Sequence, residues 1–185
     1  MHDPQGNLFA YLTSLQQSAM SALKRLPLKS RAAQGTLMAL RAVCGAGLAY
    51  TIGRALHTEQ AFWAAITAIA VTQHDYSDTL SQSRDQLIGA FAGGVGGFAA
   101  ATLGHENIVV YLVAVAIVII ACWCLNVGTA ARLAGITTTI VLLVPAHGPV
   151  WDVALFRVAQ VALGMVCALP VGWLFEYAER RWLLA

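Results

Sequence analysis

Charge is what this sequence has least of. Only 11% of its 185 residues are Asp, Glu, Lys or Arg, where a water-soluble domain carries about 25%. A surface facing water on every side cannot be covered by so little charge, and a soluble globular domain is thereby excluded. Cysteine is also sparse. Cys44, Cys122, Cys124 and Cys167 all lie inside apolar stretches, and two of them stand two apart, on different sides of a helix. They read as packing residues rather than as disulfide partners or metal ligands. No nucleophile stands beside a base, so neither an enzyme nor a cofactor is expected. Residues 1–7 are polar and no secretory leader is expected. The net charge of +2 says nothing about partners by itself; no nucleic-acid partner is expected.

What is present is apolar: 58% hydrophobic residues and a mean hydropathy of +0.67. The apolar residues fall into six segments: Thr36–Leu56, Ala61–Thr72, Leu87–Leu103, Ile108–Val127, Leu133–Val144 and Val153–Tyr177. A helix that spans a bilayer needs about 20 such residues. The first, fourth and sixth segments satisfy this and the third nearly does, whereas the second and fifth fall short. The pattern predicts an all-α, polytopic membrane protein with six transmembrane helices over residues 36–185. Residues 1–35 form a separate element. Leu8, Leu12, Leu15, Ala19, Leu23 and Leu26 recur at steps of three and four, ahead of Lys24, Arg25, Lys29 and Arg31. That is an amphipathic helix suited to lie among anionic lipid headgroups.

Basic residues also orient the chain. Arg84, Arg132, Arg180 and Arg181 share one set of loops with the basic N-terminal run, and loops 57–60, 104–107 and 145–152 hold no Lys or Arg. Cationic loops stay cytoplasmic, so both termini are expected in the cytoplasm, across a bacterial inner membrane or its equivalent. His57, His105 and His147 fall in the outer loops without metal-ligand spacing, and no metal site is expected. Gly89, Gly93 and Gly97 repeat at four and read as a helix-packing face.

The two short segments match in register. Ala64-Ala-Ile-Thr-Ala-Ile-Ala-Val71 aligns with Ala134-Gly-Ile-Thr-Thr-Thr-Ile-Val141, which suggests inverted halves of three helices each. Short segments at matching places in inverted halves mark a transporter's binding region. The candidate substrate-binding residues are therefore polar groups at membrane depth: Arg132, Thr137 and Thr138 in the fifth segment, Thr67 in the second, Arg41 in the first and Arg157 in the sixth. Arg132 is favoured, because the start of a short helix carries free N–H groups and partial positive charge.

Three stretches, Leu40-Arg-Ala-Val-Cys-Gly-Ala-Gly-Leu-Ala-Tyr50, Phe62-Trp-Ala-Ala-Ile-Thr67 and Gln86-Leu-Ile-Gly-Ala90, resemble the fusaric acid resistance and aromatic acid exporter family. Arg157 with Val161 and Gly164 resembles it too, and the likeness covers residues 36–177. Plant aluminium-activated malate transporters look like distant relatives. The resemblance implies six helices per unit and export of organic, often aromatic, carboxylates. Larger members join two such units, so a homodimer is expected here. Some work with a periplasmic adaptor protein, which is an expected partner. The alternative is a non-transporting membrane scaffold or assembly subunit whose arginines only reach the headgroups.

The charge pattern makes a direct prediction. Single cysteines at Thr58, Asn107 and Ser81, in a background lacking the native four, are exposed to an impermeant maleimide from outside the cell. The first two should be labelled and the third should not; labelling of Ser81→Cys in intact cells would reverse the orientation.

Overall fold

Every apolar segment becomes a helix. The computed structural model describes residues 28–58, 60–104, 107–144 and 150–183. Among them the order is α1 (Leu28–Ala55), α2 (Phe62–Val71), α3 (Tyr76–Gly104), α4 (Ile108–Cys124), α5 (Gly128–Leu143) and α6 (Val150–Leu183), with no strand. The chain divides into two compact units, Met1–Leu37 and Met38–Ala185. The first contributes the opening turns of α1, where Thr36 returns its hydroxyl to Ala32 O at 2.9 Å. The rest of the expected amphipathic helix lies outside the described residues. Everything below concerns the second unit.

Helix length separates the elements into two kinds. At 1.5 Å per residue, α3 and α6 run to about 44 and 51 Å, whereas α2 reaches only about 15 Å. The hydrocarbon core is about 30 Å thick. Three helices, α1, α3 and α6, are long and apolar enough to cross it, and α2, α4 and α5 are shorter apolar helices. Several helices extend beyond their apolar runs. α3 begins at Tyr76 rather than near Leu87, because Ser77-Asp-Thr-Leu-Ser-Gln-Ser-Arg-Asp85 is polar yet compatible with a helix.

Small residues hold the helices together. The buried side chains are mostly Ala and Val, including Ala49, Ala64, Ala68, Val71, Ala90, Ala134 and Val141, while Leu112, Ile117, Ile120, Phe91 and Leu155 point outward. This inversion of the soluble pattern follows from the solvent. Lipid tails are as apolar as Leu, so close approach drives association rather than burial of large side chains.

The closest approaches to a backbone carbonyl occur at two glycines. A Cβ on Gly164 of α6 would lie 2.6 Å from Ala64 O and 2.7 Å from Thr67 Cβ of α2. A Cβ on Gly93 of α3 would press on Ala134 O and lie 2.7 Å from Thr137 Cβ of α5. The same contact is made twice, with residues that correspond in the sequence alignment of the two short segments. Gln160 and Gly164 meet Gln60 and Ala64 in the same order, and Gly89, Gly93 and Gly97 meet Leu133, Ala134 and Val141, so α2 runs parallel to α6 and α5 to α3. The two long helices run antiparallel to each other: Gly94 meets Ala154 and Val158, and Gly172 meets Tyr76 and Thr79.

Adding one methyl at either contact should be costly. Gly164→Ala and Gly93→Ala should each destabilise by about 1–3 kcal/mol, the usual range for overpacking. Gly47, with nothing within 4 Å of a built Cβ, is the control, and Gly47→Ala should be neutral or slightly stabilising. Thermal midpoints of the detergent-purified protein measure this, and equal midpoints for all three variants would remove glycine packing as the reason the helices meet.

Candidate functional site: two buried arginines at opposite ends of a short helix

A helix of ten residues leaves a problem at each end. Backbone groups at and just beyond its termini have no helical partner, and each buried one needs another. At the C-terminal end of α2, Thr72 returns its hydroxyl to Ala68 O at 2.7 Å, and Gln73 N–H donates to Thr79 Oγ1 at 3.1 Å. The carbonyl of His74 accepts from Arg41 Nη1. Arg41 is 2% exposed, and its Nη2 donates to Glu179 at 2.7 Å. Phe175 lies beneath the guanidinium, 5.9 Å from its carbon to the ring centroid. Nε of Arg41 has no partner, but the charge itself is neutralised. Nearby, Glu176 accepts the Tyr76 N–H at 3.0 Å, so the start of α3 is tied to the end of α6.

The N-terminal end of α2 is built differently. Gln160 Nε2 donates to Gln60 O at 3.2 Å, which satisfies the loop carbonyl. One turn earlier on α6, Arg157 is 7% exposed and lies over the Trp63 ring, 4.7 Å from the centroid. Among the described residues its Nε and Nη1 are fully buried with no hydrogen-bond partner, and it has no carboxylate. Among these residues the buried cations are Arg41 and Arg157. One is paired and the other is not.

The remaining candidates sort by what their polar atoms do. Thr67 returns its hydroxyl to Trp63 O at 3.0 Å, and Thr138 bonds Ala134 O and Gly93 O at 3.0 and 3.2 Å. Both are buried and occupied with backbone. Thr137 is also buried, and its hydroxyl makes no hydrogen bond among the described residues. Arg132 is exposed, and α5 starts at Gly128, so Arg132 stands inside the second turn rather than ahead of the helix. The free N–H groups of that terminus belong to residues before it. Nothing brings Arg132 together with Arg41 or Arg157.

Two participants went unread in the sequence. Trp63 figured only within the Phe62–Thr67 stretch, although its place at the start of the shortest helix could have marked it. Glu179 carries no local signal, because its partner is 138 residues away.

Comparison of the chain with curated proteins and with solved structures finds no match. Residues 48–171 match the family model described as fusaric acid resistance protein-like, a stretch that holds Trp63, Arg157 and both glycine contacts. With most of its length inside that match, the chain belongs to the fusaric acid resistance protein-like family, and its helices are those of a membrane transporter-type protein.

Proposed function

We propose that this protein moves organic anions, aromatic carboxylates among them, out of the cell, and that Arg157 is the cation that holds them. The observation that carries this reading is the pair of buried, unpartnered donors on Arg157. A desolvated charged donor without a partner costs about 1–3 kcal/mol or more, and a carboxylate would relieve that cost. Trp63 covers one face of the guanidinium by cation–π attraction, which leaves the in-plane N–H groups for carboxylate oxygens. Thr137 is a further hydroxyl on the proposed path. Arg41, Thr67 and Thr138 support the backbone around it. Arg132 is exposed and attracts anions at longer range, an effect that salt screens.

The doubled glycine–threonine contact supports the inverted-repeat reading. It would let the two halves rock against each other about the crossing of α3 and α6. The proposal also keeps the inner membrane with cytoplasmic termini, a homodimer as the working unit and a periplasmic adaptor as partner. The basic-residue pattern and the family resemblance support these.

Flux of benzoate and of malate into liposomes, measured over a range of concentrations, tests the site. Arg157→Ala should weaken apparent affinity by about ten- to a hundredfold, the equivalent of one charge-assisted hydrogen bond at about 1.5–3 kcal/mol. Arg157→Lys keeps charge but loses the planar face and fork, so it should fall between wild type and Ala. Arg132→Ala should slow uptake mainly at low salt. Unchanged affinity in a folded Arg157→Ala protein would refute the site, and absence of flux in the wild type would favour the scaffold reading.

A further inference from the structure

Arg157 is not the end of the buried polar chemistry. On α3, Ser83 is 1% exposed and Gln86 7% exposed. Ser83 Oγ is fully buried without a partner, although a helical serine can return its hydroxyl to the preceding turn. The Gln86 amide makes no hydrogen bond among the described residues. An unpartnered buried hydroxyl in a closely packed seam is costly, and the Gln86 amide one turn away is not consumed by any structural hydrogen bond among the described residues.

Their position follows from helix geometry. Thr79 and Gly94 both touch α6, at Gly172 and at Ala154 and Val158. Residues 79, 83, 86, 90 and 94 succeed one another at steps of three and four, so they form one ridge. Ser83 therefore faces α6 between those two contacts, and Gln86, two turns before Gly93, sits at the corner where α3 meets both α5 and α6. Interpolating along the antiparallel pair sets Gln86 level with residues near Gly164, seven positions beyond Arg157. At 1.5 Å per residue that is about 10 Å along the seam, toward the end where Arg41 and Glu179 close the structure.

We propose that Ser83 and Gln86 form a second, uncharged binding station for the substrate carboxylate, inward of Arg157 and on the α3 side of α6. This rests on the reading of Arg157 as the anion site. The hydroxyl and the amide N–H groups donate to carboxylate oxygens, but without a full charge they hold an anion weakly. That weakness suits passage. A translocation path needs sites that bind well enough to admit an ion and weakly enough to release it. One strongly binding arginine followed by neutral donors meets both needs. The distance of about 10 Å exceeds hydrogen-bond reach, so a carboxylate exchanges one station for the other.

The test separates this station from Arg157. Benzoate flux is measured in liposomes for Gln86→Leu, for Ser83→Ala and for the double variant, with thermal midpoints recorded in parallel. Removing an orphaned amide from a buried seam should leave the midpoint unchanged or raised. The maximal rate should nevertheless fall about tenfold in the double variant, with apparent affinity within about twofold of wild type because Arg157 is intact. Gln86→Glu should abolish flux by like-charge repulsion. An unchanged maximal rate in the double variant overturns the station. So does a fall in rate that accompanies a lower midpoint, since that outcome marks a packing role. Either failure, with the Arg157→Ala effect still present, leaves the anion site standing; loss of the Arg157 effect removes both.

Discussion

The arrangement depends on backbone meeting backbone. At Gly93 and Gly164 two long helices press directly on the carbonyls of two short ones, and no side chain larger than hydrogen fits between. In a membrane this contact replaces the hydrophobic effect, because lipid offers the large apolar side chains as good a home as any protein interior. Bringing α2 and α5 so close to α6 and α3 has a further effect. It sets a helix of about 15 Å against helices about three times as long, so loop backbone lies against protein. Arg41, Gln160, Thr72 and Thr79 then serve as replacements for water.

That role explains why two buried arginines need not mean the same thing. Arg41 caps a loop carbonyl and neutralises Glu179, so its charge is a component of the fold. Arg157 meets an aromatic face that stabilises a cation without consuming its N–H groups. Gln160, its neighbour on α6, satisfies the loop carbonyl that Arg157 would otherwise serve. The division of labour leaves one guanidinium free of structural duty, which makes it the functional candidate of the two.

The helices were legible in the sequence because each apolar run is bounded by polar or turn-forming residues. Their ends were not: the apolar run of the third segment stops near Leu87, whereas α3 continues through eleven more residues, polar but able to coil, back to Tyr76. The site was legible in part. Arg157 stood out as a charge inside an apolar segment, and Gln160 and Gly164 fell on its face. Arg132 looked stronger, since it opened an apolar run, but whether it faces protein or surroundings depends on how α5 is rotated. In a lipid-facing helix the apolar period does not report that rotation, because both faces are apolar and only residue size distinguishes them. Size did carry the signal: Ala134, Gly135, Thr137 and Thr138 face inward while Arg132 and Ile136 face out. The pairings of Arg157 with Trp63 and of Arg41 with Glu179 are contacts across the chain, and no local pattern encodes them.

The Arg41–Glu179 pair also bears on how the protein is made. Ribosomes deliver the chain from its N-terminus, so Arg41 emerges and enters the bilayer 138 residues before its carboxylate exists. Throughout that interval the first helix carries an uncompensated charge and can settle only partway, its guanidinium drawn toward headgroups. Arrival of the last helix supplies the counter-charge and lets the first one seat. The two ends of the chain are thus coupled in folding, since a polypeptide interrupted before Glu179 lacks the counter-charge of its first helix.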